Sequence, residues 1–398
     1  MILEIHGAGF TNKGAEMMLR AVTSELEARL PNFIPVIDPT YGRYEQRAAL
    51  GLGSIYPLRT HVGSPLFSWR LKQQRFVAAL PKNLVLSIFG REQAADLGRV
   101  TLREIEGFID ISGFAYSSHW GNKPTQDMAL LTRYYRKQNK PVILLPQAFG
   151  PFETPIIRSA IREIIDNATL IFARDTASFN YLGEQSASSK SIRQAPDITL
   201  FYPKKQTPKA KKRAGAVGIV PNIRLLDRGK ELWGNRYFDL LTGIISHLLR
   251  QGVPVELLVH DDSGQDLKLA ERVRDRAGSR QVPIIREENP LLIKKRISEY
   301  QLIIGSRYHS LTAALSSEVP VIALGWAHKY KLLMEEFDLQ DYLFQPDIPV
   351  EQAIEYVSHA LEVAVNEAIR EHISEHLELK SATNQAMWDA VILSLTSP

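Results

Sequence analysis

The chain has 398 residues, too many for one typical core, and its 44% apolar and 23% charged residues are those of an ordinary globular protein, which excludes disordered and fibrous classes. Its net charge of +4 suits acidic ligands or an anionic membrane surface but is too small to point to nucleic acid. Cysteine is absent, so disulfides, thiolate catalysis and Cys-ligated zinc are excluded. The first residues enter a strand directly, with no basic or apolar leader, and no apolar run reaches membrane-spanning length; a cytoplasmic protein is expected. A strand over residues 2–5 leads through Gly7-Ala8-Gly9-Phe10-Thr11-Asn12-Lys13-Gly14 into a helix over 15–30 with the apolar stripe Leu19, Val22, Leu26 and Leu30. Gly9 and Gly14 have P-loop spacing, but Ala15-Glu16 follow where Lys and Ser/Thr are required. Gly7-x-Gly9 also lacks the third glycine of a dinucleotide fingerprint. What is left is a turn in which Asn12 and Glu16 offer hydrogen bonds to a hydroxylated ligand, or a purely structural turn.

Further strands are expected over 33–37, 84–89, 108–111, 142–145 and 170–173. Residues 61–103 break this rhythm as an insertion. In it Arg70, Lys72, Arg75, Lys82 and Arg91 are interleaved with Phe67, Trp69 and Phe76, a pattern that reads first as a solvated helix face and otherwise as one turned to an acidic or lipid surface. Gln147 closes a strand at a Pro/Gly turn, at the carboxyl edge where open α/β sheets bind ligands. Arg174 ends the next strand beside a helix start that Asp175 or Thr176 can cap. It reads as an anion clamp or as the partner of Asp175.

The basic, proline-containing run over 203–213 has the composition of an inter-domain linker. After it, strands over 216–220, 255–259 and 283–285 alternate with helices over 237–250, 265–276 and 291–300. His260-Asp261-Asp262 follows a strand and suits a capping or loop role, or a divalent cation. Leu302-Ile303-Ile304-Gly305-Ser306-Arg307-Tyr308-His309-Ser310 then reads as strand, turn and helix start, with the next strand over 319–324. A helix start attracts anions, and Arg307 and His309 stand where they can meet one. Lys329 follows the next strand at the same edge, and the helical stretch 351–395 is long enough to cross back over the domain junction. The expected architecture is α/β, with two Rossmann-like domains facing across a cleft. Residues 1–202 would form the N-terminal, acceptor-side domain and 214–398 the C-terminal, donor-anion domain.

Taken in order, Asn12–Gly14–Glu16, Gln147…Gly150-Pro151, Arg174-Asp175 with Ser178 and Leu182, Pro196-Asp197, His260-Asp261-Asp262, Arg307-x-His309-Ser310 and Lys329 resemble the polysaccharide pyruvyl transferase family over nearly the whole chain. The chain departs from the family pattern at Ala15 and at Ser112-Gly113-Phe114-Ala115-Tyr116, both on the acceptor side. The resemblance implies a GT-B-like fold. It also implies transfer of the enolpyruvyl unit of phosphoenolpyruvate onto sugar hydroxyls of a cell-surface glycan or its precursor, as a pyruvate ketal. By the resemblance, Arg174, Arg307 and His309 stand at positions expected to handle the donor. Read from the residues themselves, Ser310 and Lys329 add to donor binding, catalysis falls to His309 with Arg307, and acceptor contacts fall to Asn12, Glu16 and Gln147. No cofactor, metal or nucleic acid is expected; the partners are phosphoenolpyruvate and a saccharide, lipid-linked or not, met in the cytoplasm or at the inner membrane face. A nucleotide-sugar glycosyltransferase of the same fold, and a non-catalytic glycan-assembly protein, are the alternatives.

Overall fold

A computed structural model describes residues 1–55, 98–186, 191–203, 215–278 and 280–397. The expected strand 84–89, the insertion's basic and aromatic residues and nearly all of the expected linker lie outside the described residues.

The first sheet holds β1 (Ile2–His6), β2 (Ile34–Ile37), β3 (Gly53–Ile55), β4 (Arg99–Val100), β5 (Gly107–Asp110), β6 (Val142–Gln147), β7 (Leu170–Ala173) and β8 (Ile192–Gln194). Its order is β4-β3-β2-β1-β5-β6-β7-β8, and every pair is parallel. Parallel strands need covered faces, and β5 to β7 are accordingly buried along their length. The covering helices are α1 (Lys13–Arg29), α2 (Tyr44–Ala48), α3 (Lys123–Arg136), α4 (Pro155–Asn167) and α5 (Thr176–Gly183). α4 shows how the sequence builds one. Thr154 accepts the Ile157 N–H as N-cap, Pro155 occupies the first turn, and Ile157, Ile161, Ile164 and Ile165 form the buried stripe.

The second sheet and its helices run β9 (Val217–Val220), α6 (Arg224–Asp227), α7 (Arg236–Arg250), β10 (Val255–Val259), α8 (Gln265–Arg276), β11 (Ile284–Arg286) and α9 (Pro290–Ser298). Then come β12 (Leu302–Gly305), α10 (Tyr308–Leu315), β13 (Val321–Leu324), α11 (His328–Glu335), β14 (Leu343–Phe344), α12 (Val350–Leu361) and α13 (Val363–Thr396). The order β11-β10-β9-β12-β13-β14, all parallel, is that of a doubly wound nucleotide-binding sheet. Strand order reverses between β9 and β12 here, and between β1 and β5 in the first sheet. Those switch points, at the strands' carboxyl ends, are where such sheets bind ligands.

The chain divides into two compact units at boundaries other than those expected from sequence. The first is Met1–Phe10, Val22–Ala195 and Ala386–Pro398; the second is Thr11–Ala21 and Pro196–Gln385. Residues 196–203 fall in the second unit because Lys294 of α9 donates to the carbonyls of Thr199 and Tyr202, and Thr199 meets Thr312 of α10. The start of α1 joins it through a bridge between Asn12 and Asp261 and a hydrogen bond from the Asp262 N–H to the Thr11 carbonyl. The C-terminal residues belong to the first unit, where Asp389 pairs with Arg29 at 2.9 Å.

Candidate active site

In the second unit, β12 ends in Gly305 and the chain turns through Ser306 and Arg307 into α10, at the β9/β12 switch point. The turn is held from three sides. Asn222 Nδ2 and the Tyr330 hydroxyl donate to the Ser306 carbonyl at 2.6 and 2.9 Å, while the Tyr237 hydroxyl lies 2.8 Å from Ser306 Oγ. Ser310 donates both its hydroxyl and its N–H to the Arg307 carbonyl, at 2.7 and 3.0 Å. The expectation that the Ser310 N–H faces an anion is therefore corrected: that group closes the first turn of the helix.

Arg307 is nearly buried. Its Nε donates to Asp266 Oδ2 at 2.7 Å, and its Nη1 lies 3.4 Å from Asp261 Oδ2. Burial works against its charge, but the Asp266 hydrogen bond and the charges of Asp266 and Asp261 outweigh it and hold the guanidinium above its usual range. Asp266, in the first turn of α8, also accepts the Ile223 N–H at 3.1 Å, so it is fixed before it fixes the arginine. Lys13 is matched in the same way, 2.5 Å from Asp262 and 3.5 Å from Glu16, with its ammonium also donating to the Glu288 carbonyl. His260-Asp261-Asp262 thus serves as counter-charge to Arg307 and Lys13. The sequence anticipates a cationic pocket; in the second unit each of these two cations is paired with carboxylates.

His309, the second residue of α10, lies directly over the start of α1. A Cβ built on Gly14 would fall 2.0 Å from His309 Nδ1, so only glycine leaves room for the ring. Asn12 Oδ1 accepts the Gly14 N–H at 2.9 Å and fixes that turn. On the ring's other side, His309 Nε2 is 3.9 Å from Asp197 Oδ2, and Tyr308 packs edge-on at 5.4 Å. Asp197 is itself held through Thr199, whose N–H and hydroxyl both donate to Oδ1. A cavity of about 10 Å³, room for roughly one water, is lined by Lys13, Thr199, His260, Lys294, His309 and Thr312. His260 is pushed down to about 3, chiefly by burial and then by the charges of His309 and Arg307. Burial pushes Lys294 down to about 7, against the pull of Asp197. Lys329 lies 5.5 Å from the Tyr308 and Tyr330 ring centroids and 5.7 Å from that of Trp326, so three aromatic faces surround its ammonium.

Asn12 and Glu16, expected on the acceptor side, instead belong to the second unit with His309. Glu16 Oε1 accepts Arg20 Nε and Nη2 at 3.0 and 2.8 Å, and Oε2 faces Lys13. Gln147 and Arg174 belong to the first unit. There Asp175 is the N-cap of α5, accepting the Ser178 N–H at 2.7 Å, and Arg174 is buried at the end of β7. Gln147 Nε2 donates to Asp110 Oδ2 at 2.6 Å, while its Oε1 is buried with no hydrogen-bond partner among the described residues. Asp110 ends β5 at the β1/β5 switch point, and Ser112 donates to its other oxygen at 2.6 Å. Burial pushes its carboxyl up, offset in part by His6 and by hydrogen bonds from Ser112, Gln147 and Tyr116. Sequence reasoning missed Asp110 and Asp266. The available signal was a carboxylate at a strand end and another in the first turn of a helix.

A family model described as polysaccharide pyruvyl transferase matches residues 12–328. Among solved structures, the chain is similar to HepE of Anabaena in complex with UDP, at 13% identity and a TM-score of 0.56, covering 98% of this chain and 99% of that one. It is also similar to UDP-GlcNAc 2-epimerase from Neisseria meningitidis bound to UDP-GlcNAc, at 12% identity and a TM-score of 0.59, covering 98% and 99%. At such identities the likeness is one of fold, the two-domain α/β arrangement of GT-B proteins. Among the described residues, no helix is long and apolar enough to cross a membrane.

Proposed function

The chain belongs to the polysaccharide pyruvyl transferase family, and from that premise we propose that it moves the enolpyruvyl unit of phosphoenolpyruvate onto two hydroxyls of a saccharide, a cell-surface glycan or its precursor. The carrying observation is the fixed imidazole at the β9/β12 switch point: His309 seated on Gly14, with the Asp197 carboxylate 3.9 Å from Nε2 and the doubly paired Arg307 two residues earlier.

The reaction needs an acid, two hydroxyl additions and one leaving event. A proton adds to the methylene carbon, which becomes the methyl group, and a sugar hydroxyl attacks C2. The C2–O bond to phosphate then breaks, and the second hydroxyl closes the ketal. Two hydroxyl protons are released, one balancing the proton taken by carbon and one leaving with phosphate. His309 supplies or relays the first proton, with Asp197 as the group that positions it; an imidazole ordinarily titrates where such a relay works. Arg307, its fork aimed by Asp266, contacts the donor phosphate, and Lys329 adds charge at the same strand edge. Arg174, in the first unit, is a donor-handling position by the family resemblance alone. Gln147, with Asp110, is assigned the acceptor hydroxyls. The step is not a redox one, so turnover is expected to need no redox cofactor; with Arg307 and Lys329 to meet the phosphate charge, it is also expected to survive a chelator.

Similar folds bound to UDP and UDP-GlcNAc favour one second reading, a nucleotide-sugar donor. A thermal-shift panel separates the two. Phosphoenolpyruvate should raise the melting temperature while UDP-sugars leave it unchanged, and phosphate release should follow when an accepting glycan is added. A shift with UDP-sugars alone would replace the pyruvyl reading. His309→Ala with undiminished phosphate release would remove the histidine from the mechanism.

A further inference from the structure

On α13, far along the chain from the residues discussed above, His372 and His376 lie one helical turn apart, with ring centroids 4.3 Å from each other. Facing them is Asp338, three residues past the end of α11, in the left-handed conformation at φ 48° with its side chain 68% exposed. All three belong to the second unit. Within each αβ layer, α11 starts at the strands' carboxyl edge with Lys329 and ends at the opposite edge. Asp338 therefore sits away from the Arg307–His309 edge of the same sheet.

The hydrogen bonds fix which ring nitrogens carry protons. His372 Nε2 lies 2.8 Å from the Phe337 carbonyl oxygen, so that nitrogen is the donor and Nδ1 keeps its lone pair. His376 Nδ1 lies 2.9 Å from the His372 carbonyl oxygen, so it too donates, leaving the lone pair on Nε2. That Nε2 faces Asp338 Oδ2 at 3.2 Å, a spacing satisfied by a proton on the imidazole or by a cation held between the two. One nitrogen or carboxylate oxygen from each of the three residues lies within 4.8 Å of the others. A tetrahedral ion at ordinary zinc–ligand distances spaces its ligands by about 3.3 Å. The His376–Asp338 pair is already at that spacing, and the other two pairs lie within 4.8 Å. Both imidazoles donate their other N–H to a backbone carbonyl, the outer support usual for metal-bound histidine. The nearby ammonium of Lys380 is turned to Glu336, 3.6 Å away.

We propose that His372, His376 and Asp338 bind one late first-row divalent ion, Zn²⁺ as the type, with water completing its coordination. Two imidazoles and a carboxylate disfavour Mg²⁺ and Ca²⁺, which prefer all-oxygen sites. The ion would tie α13 to the end of α11 and play no part in turnover, so the inference stands independently of the proposed reaction.

The test uses the full-length, tag-free chain stripped with EDTA and titrated with ZnCl₂ by calorimetry, and with CoCl₂ by visible absorption. One equivalent should bind, and Co²⁺ should give the intense visible bands of a four-coordinate site. His376→Gln and Asp338→Asn should each weaken binding by at least about 10- to 100-fold. Asp338 is exposed, so its variant keeps the fold even if the histidine variant does not. Phosphate release should be unchanged by loading. No saturable Zn²⁺ binding would overturn the proposal. Equal binding by wild type and both variants would place the ion elsewhere and overturn it too.

Discussion

Gly14→Ala isolates the seating of His309 better than any change to the histidine itself. Gly14 is not left-handed, so alanine is compatible with its backbone, and in α1 the change should add up to about 1 kcal/mol of helix propensity. The new methyl, however, would stand 2.0 Å from His309 Nδ1, where ordinary contact begins at 3.4 Å. The imidazole must therefore withdraw by about 1.4 Å or the start of α1 must move, an overpacking that costs about 1–3 kcal/mol. The gain offsets only part of that cost, leaving a net loss of at most about 3 kcal/mol, but a misplacement of about 1 Å at a reacting group lowers turnover by roughly 100-fold. Phosphate release and thermal melting should be measured together, with Gly183→Ala as control, since nothing lies within 4 Å of a Cβ there. The expected result is a kcat lowered about 100-fold with the melting temperature changed by only a few degrees. Wild-type kcat in Gly14→Ala would refute the reasoning that His309 must occupy this seat.

Three further outcomes follow from the geometry. Asp261→Asn removes one of the two carboxylates on Arg307 and should lower the donor's KM several-fold, whereas Asp266→Asn loosens the guanidinium's aim and should lower kcat; steady-state kinetics that move in the same direction for both would contradict the assignment. Lys329→Met keeps the aliphatic stem among Tyr308, Trp326 and Tyr330 but removes the charge; it should raise the donor's KM about tenfold with little loss of stability, read by kinetics and melting. The third concerns pH. His260 titrates at about 3 when folded and at 6.5 when unfolded, so its neutral form favours the folded state above pH 6.5 and this stability is lost as pH falls towards 3. The loss is about 2 kcal/mol by pH 5 and approaches about 5 kcal/mol in full. Urea midpoints between pH 7.5 and 5 should fall more steeply for wild type than for His260→Asn, and parallel slopes would exclude the residue as a source of acid sensitivity.

Much of the scaffold was legible in the sequence because parallel strands buried on both faces leave apolar runs too short and too branched for helices. Leu170–Ala173 and Val255–Val259 coincide with the expected strands, and Gln265–Arg276 with the expected helix. The short strands β3, β4, β8 and β14, of two or three residues, carry no periodicity and were not legible. The C-terminal stretch, expected as one run, breaks at Glu362, where extended ψ separates α12 from α13. In the site, the strand-to-helix turn around Arg307 and His309 could be read locally. Its partners could not. Asp266 lies 41 residues away in sequence, and Gly14 is far more distant still. A single sequence shows that a charge is present but not whether the fold has already matched it.

The discontinuous make-up of the first unit bears on how the protein is made. Its sheet comes entirely from residues before 196, yet Leu395 packs close to Gly107 and Asp389 pairs with Arg29. Synthesis of the intervening residues 196–385, 190 by count, takes roughly 10–40 s at typical ribosome speeds. For that interval the first unit lacks Met387, Trp388, Val391 and Leu395, which are buried in the finished protein. Any chaperone that assists this chain should therefore act before residues 386–398 have docked on the first unit.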